Sequence, residues 1–167
     1  YGNVAASRGS IIPLFIKINE KNKEYFPITD ERMTRFWITL DQGVEFVKDS
    51  IKNMYGGEIF IPKIPSVKVV DIATAINSEK QIKVIGIRPG EKLHEIMFSS
   101  DDAIRTLEFK NHYVITPTIK FYERPYDFVS NPNGEKGFFV KKDFDYSSHT
   151  NDNFLNVDQI RSFVDTI

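Results

Sequence analysis

Ile85-Gly86-Ile87-Arg88-Pro89-Gly90-Glu91-Lys92-Leu93-His94-Glu95 is the stretch on which the fold and the chemistry of this chain turn. The apolar run from Val84 to Ile87 predicts a short buried strand, ended by Arg88. Pro89-Gly90 turns the chain, and Glu91 to Met97 has the pattern of the first turns of a helix, with acidic residues near its start, where the helix dipole favours them. An arginine at a strand end can fork onto a phosphate with two parallel hydrogen bonds. A glutamate three residues on can accept from ribose hydroxyls. Together they suit a nucleotide diphosphate held by its two polar ends. The same two residues equally suit a surface ion pair around a turn, which contributes little.

Working outward, helices and strands alternate. Ala5-Ala6-Ser7-Arg8-Gly9-Ser10 is a loop of small residues that lets another molecule approach the backbone. Ser10 is placed to cap a helix over Ile11 to Glu20, with Pro13 tolerable in its first turn and an apolar surface that predicts burial on most sides. Phe26 to Asp30 reads as a short extended piece and turn, and Met33 to Ile38 as a strand. Thr39 and Gln42 form a capping-box pattern before a helix that buries Leu40, Val44, Val47, Ile51 and Met54, stopped by Gly56-Gly57. Glu58 to Pro62 predicts a strand, and Ser66 caps a helix with Val69, Val70, Ala73 and Ile76 inward. His112 to Thr116 predicts a short strand. Pro117 to Gly137 reads as a long surface excursion. Asn156 caps a last helix with Val157, Ile160, Phe163, Val164 and Ile167 inward. This alternation is that of α/β proteins.

The bulk numbers exclude several classes. With 167 residues, 41% hydrophobic and 27% charged, the chain can bury a core. A net charge of -1 gives no electrostatic case for nucleic acid or an anionic membrane. The absence of cysteine removes disulfide and thiol chemistry and fits a reducing cytoplasm, the expected location. No apolar run approaches the ~20 residues that span a bilayer. The chain opens on Tyr1-Gly2-Asn3-Val4, without Met or a charged-then-apolar leader, and reads as the interior of a longer protein.

The search for catalytic constellations is mostly negative. His94, His112 and His149 are far apart in sequence and none has a His or Cys partner at ligand spacing, so no metal site is expected. The pairs Asp101-Asp102 and Asp143/Asp145 read as solvated loop carboxylates. No glycine-rich dinucleotide turn and no Tyr-x-x-x-Lys pair occur; Tyr113, Tyr122 and Tyr126 all lack the lysine. Arg35, set between Met33-Thr34 and Phe36-Trp37-Ile38, needs a partner: an internal carboxylate such as Asp30 or Glu31, or a ligand phosphate. Tyr146-Ser147-Ser148-His149 offers hydroxyls and an imidazole in a loop, or is an exposed linker.

Taken in order, Tyr1-Gly2-Asn3-Val4, Ser7-Arg8-Gly9-Ser10, Pro27-Ile28-Thr29-Asp30 with Met33 to Trp37, and Arg88 to Glu95 resemble the C-terminal half of an extended short-chain dehydrogenase/reductase acting on sugar nucleotides. The tail Phe144 to His149 is most similar to the subgroup of C5-inverting UDP-N-acetylglucosamine 4,6-dehydratases, which open pseudaminic acid synthesis. The resemblance covers essentially the whole chain. It implies the C-terminal portion of an NAD(P)-binding Rossmann-like fold with the smaller substrate-binding domain: residues 1–25 end the Rossmann part, and 26–167 are mainly substrate domain.

It further implies NADP against Val4, Ala5, Ala6, Ser7 and Arg8. Asn3 would touch the UDP-sugar, Thr29 the uracil, Arg35 and Arg88 the diphosphate, and Glu91 the ribose. Tyr146, Ser147, Ser148 and His149 would close over the nucleotide. The family reaction oxidises C4 of the sugar, removes water across C5 and C6, and returns the hydride to C6. The residues that do this chemistry precede the Asn-Val segment in the family. No catalytic residue is therefore expected in this segment, the fragment alone is expected to be inactive, and the full-length protein is expected to be a homo-oligomer. The rival readings are a retaining 4,6-dehydratase, a UDP-sugar 4-epimerase, or a non-catalytic sugar-nucleotide-binding module.

Overall fold

The structure is a computed structural model, and it describes residues 3–119 and 127–166. The expectations for Tyr1-Gly2, Tyr122, Tyr126 and Ile167, and for the 120–126 part of the surface excursion, lie outside the described residues. In chain order the elements are β1 (Asn3–Val4), α1 (Ile11–Glu20), β2 (Tyr25–Ile28), β3 (Thr34–Ile38), α2 (Leu40–Asn53), β4 (Ile59–Pro62), β5 (Ser66–Lys68) and α3 (Val69–Ile76). Then come β6 (Gln81–Val84), β7 (Ile96–Phe98), α4 (Ser100–Ala103), β8 (Thr106–Glu108), β9 (His112–Ile115), β10 (Phe138–Phe139), β11 (Tyr146–Ser147) and α5 (Val157–Val164). They form two compact units, one drawn from 41–63 and 96–147, the other from 2–40, 64–95 and 148–167.

The second unit carries two small sheets. In one, β3 lies between β1, parallel to it, and β5, antiparallel. In the other, β2 and β6 run parallel. Helices α1, α3 and α5 pack with them around Phe15, Phe26, Ile72 and Ile160, all essentially without solvent contact. Helix α1 buries Ile12, Phe15 and Ile18, spaced to one face, and leaves Leu14 exposed. Its burial is one-sided, not the burial on most sides that its apolar composition predicts. Helix α5 starts at the expected cap, Asn156, and the structure completes it to a capping box: Asn156 accepts from the Gln159 N–H, and Gln159 accepts from the Asn156 N–H.

The first unit is built on a four-stranded antiparallel sheet in the order β10-β8-β9-β4. Beside it β7 and β11 pair, and Phe98, Tyr113, Phe144 and Tyr146 form an aromatic cluster. Gly137 sits where a Cβ would come within 2.7 Å of the Phe109 ring, so no side chain fits there without moving that ring.

Several expectations change here. Glu91 to Met97 is not a helix: 91–95 is irregular and Ile96 opens β7. The backbone groups a helix would use are taken by distant partners. The Leu93 carbonyl accepts from the Thr34 N–H, and the Glu95 carbonyl accepts from the Ser148 N–H. Tertiary bonds override the local propensity. The strand before the turn is Gln81–Val84, not Val84 to Ile87, and it is exposed throughout. An apolar run records hydrophobicity, not whether anything covers it. The predicted inner face of α2, Leu40, Val44, Val47, Ile51 and Met54, is likewise exposed; its spacing is helical, but no described residue covers it. Ser66 does not cap α3. It lies in β5, fully buried, with its Oγ accepting from Asn151 Nδ2, and Lys68 occupies the N-cap position.

Candidate functional site

The second unit contains a cavity of about 440 Å³. Three pieces of chain build it. The first is the loop after β1. The Ser7 N–H donates to the Val4 carbonyl and the Ser10 N–H to the Ser7 carbonyl, so the loop is two consecutive turns. Ala6 is at φ +59° and Gly9 at φ +81°, both in the left-handed region; alanine there is held at a cost that glycine would not meet. Asn3, Val4, Ala5, Ala6, Ser7 and Arg8 all line the cavity. So does Ser10, whose Oγ is buried without a hydrogen-bond partner, although it occupies the N-cap position of α1. A buried hydroxyl in a cavity wall can donate to or accept from a bound group, and the small residues beside it leave room for a dinucleotide cofactor along this loop.

The second piece is β2 and the turn to β3. Thr29 is buried in the wall, with its hydroxyl against Met33 Sδ at 3.3 Å. The turn is fixed by Asp30, which accepts from Arg32 Nε at 2.9 Å, Nη2 at 2.8 Å and the Arg32 N–H at 2.8 Å. These bonds hold the Asp30 carboxyl down to about 2. Asp30 is thus spoken for, and Arg35 finds other partners. Its Nη1 donates to the carbonyls of Thr34 (2.7 Å) and Leu93 (3.2 Å), and Nη2 contacts Met33 Sδ at 3.2 Å. Its ion-pair partner is Glu95, at 3.9 Å from Nε; of the internal carboxylates the sequence offers, neither Asp30 nor Glu31 takes that place. Nη2 carries a second N–H beyond its contact with Met33, and Arg35 lines the cavity.

The third piece is the Arg88 to Glu95 loop. The Glu91 N–H donates to the Arg88 carbonyl at 3.0 Å, and Gly90 is at φ +83°, which closes a turn of the Pro-Gly kind. Glu91 accepts from the Arg88 N–H at 3.2 Å. The surface ion pair between the two side chains does not form; among the described residues the Arg88 guanidinium has no acidic partner. Arg35, Arg88 and Glu91 line the same cavity as Asn3 and Thr29.

Tyr146, Ser147, Ser148 and His149 are not among its lining residues. Tyr146 belongs to the aromatic cluster of the first unit and Ser147 is buried. Ser148 is buried at 0% exposure and forms a polar chain with Thr34 and His94. The Glu95 N–H donates to Ser148 Oγ at 2.9 Å, Ser148 Oγ is 2.7 Å from Thr34 Oγ1, and Thr34 Oγ1 is 2.8 Å from His94 Nδ1. One direction satisfies every proton: Ser148 donates to Thr34, and Thr34 donates to an unprotonated Nδ1. The reverse direction strands the Ser148 hydroxyl proton in the interior, at a cost of about 1–3 kcal/mol. His149 stacks on His94 with ring centroids 4.3 Å apart.

Burial, then the neighbouring His149, Arg32 and Arg35, push His94 below the ordinary imidazole range. Burial does the same to His112, which is stacked against Phe109 and Phe60. A depressed imidazole is neutral in the fold while the unfolded chain still takes a proton. The stability it contributes is therefore complete above pH 6.5 and is lost as pH falls through the folded values. The melting temperature should be level from pH 7 to 8 and fall progressively below 6.5, and His94→Gln should remove part of that fall. A flat melting profile between pH 7 and 5 would contradict both assignments.

A family model described as polysaccharide biosynthesis protein matches residues 1–117. The chain belongs to the polysaccharide biosynthesis protein family. This family member is 56% identical over 151 residues to the UDP-N-acetylglucosamine 4,6-dehydratase (inverting) of Campylobacter jejuni subsp. jejuni serotype O:2, covering 90% of this chain and 45% of that protein. It is 35% identical over 168 residues to the UDP-glucose 4-epimerase of Rickettsia bellii, covering 98% of this chain and 47% of that one. Among solved structures it matches the X-ray structure of Pen from Bacillus thuringiensis with a TM-score of 0.78 at 27% identity, over 99% of this chain and 48% of that one. The polysaccharide biosynthesis family member thus spans about half the length of the relatives it matches. The subgroup resemblance read from the motifs is borne out, and the fold is mixed α/β with a neighbour of the same kind. None of the helices is long and apolar enough to cross a membrane among the described residues, and no metal-binding group of side chains is found among them.

Sequence reasoning passed over two site residues. Glu95 is inside the opening stretch but was masked by the helix reading of 91–97. The N-cap position accounts for Ser10 in the sequence, and its buried, unpartnered Oγ marks it as part of the cavity wall.

Proposed function

We propose that this chain is the UDP-sugar-binding part of a C5-inverting, NADP-dependent UDP-N-acetylglucosamine 4,6-dehydratase. The reading rests on one observation: Arg35 and Arg88 line a single cavity together with Asn3, Thr29, Glu91 and the small-residue loop. Arg35 and Arg88 grip the diphosphate, Glu91 meets the ribose, Thr29 and its neighbours meet the uracil, and Asn3 reaches the sugar. Binding energy at the remote nucleotide orients the sugar for reaction. The cofactor, when bound along Val4 to Arg8, supplies the hydride acceptor; the chain's own residues bind and orient. Residues 1–25 are assigned to the end of the dinucleotide-binding part and 26–167 mainly to the substrate part. Ser148 and His149 enter as supports of the 91–95 loop, and Tyr146 and Ser147 as packing of the other unit, rather than as ligand contacts.

The 56% identical dehydratase favours this over the 4-epimerase reading, whose relative is 35% identical. Titration of the chain with UDP and with uridine tests it. UDP should bind at least tenfold more tightly, since each charge-assisted bond to phosphate is worth about 1.5–3 kcal/mol. Equal affinities would overturn the diphosphate grip. With UDP-N-acetylglucosamine and NADP+ the chain alone should give no 4-keto product; its appearance would show that catalytic groups are present here.

A further inference from the structure

We infer that Glu95 is a positioning residue of this site, one carboxylate that sets the side chains of both Asn3 and Arg35. The inference rests on the sugar-nucleotide reading above and goes beyond it, because it concerns a residue with no ligand contact assigned to it. Glu95 Oε1 accepts from Asn3 Nδ2 at 2.7 Å and lies 3.9 Å from Arg35 Nε, while Oε2 accepts from the Phe36 N–H at 3.3 Å. The Glu95 backbone is held on both sides by Ser148: the Glu95 N–H donates to Ser148 Oγ at 2.9 Å, and the Glu95 carbonyl accepts from the Ser148 N–H at 2.8 Å.

An ionised carboxylate only accepts, so the Asn3 amide has one orientation: its NH2 toward Glu95, its oxygen left for a ligand. Without Glu95 the amide can turn either way. Asn3 so held presents an acceptor, and the group it recognises is a donor, a sugar hydroxyl or an acylamino N–H. The same oxygen faces Arg35, so the sugar contact and the diphosphate grip share one anchor, although the two arginine and asparagine side chains are 32 residues apart in the chain.

The test is the ratio of affinities for UDP-N-acetylglucosamine and UDP in the 167-residue chain. Glu95→Ala and Asn3→Ala should each cut the sugar's contribution by roughly fivefold, and the double variant should cut it no further. Glu95→Gln can serve only one of the two N–H donors and should fall between. The Asn3 side-chain amide resonances should be distinct in the wild type and shift or broaden in Glu95→Ala without ligand. A residue that merely supports the fold would weaken both ligands in proportion and leave the ratio unchanged; that outcome, or unaltered Asn3 resonances, overturns the inference alone. If the wild type binds neither ligand, the sugar-nucleotide reading falls and takes this inference with it.

Discussion

Arg35→Ala should lower the affinity of the chain for UDP by roughly a hundredfold, the largest effect expected at the site. Two charge-assisted bonds to phosphate, each about 1.5–3 kcal/mol, set the scale, with tenfold for every ~1.4 kcal/mol. Arg35 can deliver that much because it is already ordered. Its Nη1 bonds to the Thr34 and Leu93 carbonyls and its side chain is only 18% exposed, so little freedom remains to be lost on binding. Arg35→Lys should not restore the affinity, because an ammonium cannot hold both carbonyls and a phosphate in one plane. Arg88→Ala should cost less, since that side chain is exposed and lacks a partner among the described residues. Isothermal titration at fixed ionic strength checks this; an Arg35→Ala loss below threefold would remove Arg35 from the ligand site.

The second large effect is on stability. Phe15→Ala should destabilise the chain by about 3–5 kcal/mol, measured by urea unfolding, and Phe15→Leu by much less. Phe15 is at 0% exposure in the middle of α1, with its ring 4.9 Å from that of Phe26 in β2. Its removal leaves a void between helix and sheet that the surrounding Ile and Val side chains cannot close. Against a total of about 5–15 kcal/mol for a typical domain, that loss is enough to unfold a marginal one. A loss under 1 kcal/mol would mean that the ring is not packed as described.

Much of this could be read from residues alone, and the limits have physical causes. The cap at Asn156, the helix after Ser10 and the strand at His112 rest on local chemistry, and the structure has them. The Pro89-Gly90 turn is local too. What local reading missed is what other parts of the chain decide. Leu93 and Glu95 give their backbone carbonyls to Thr34 and Ser148, the latter 53 residues from Glu95, so a helical pattern never becomes a helix. For Arg35 the local sequence offers Asp30 or Glu31 as an internal partner beside a ligand phosphate, and the internal partner is the distant Glu95. The stripe on α2 announces a buried face that no described residue supplies.

The order in which the chain visits its two units has a kinetic consequence. The backbone passes from one to the other after residues 40, 63, 95 and 147, so neither is a continuous piece of polypeptide. Each must gather segments separated by long intervening loops, and closure entropy is spent before those contacts are gained. Refolding from denaturant should consequently be slow for a chain of this length, and a nick after residue 63 or 95 would divide both units between the two pieces.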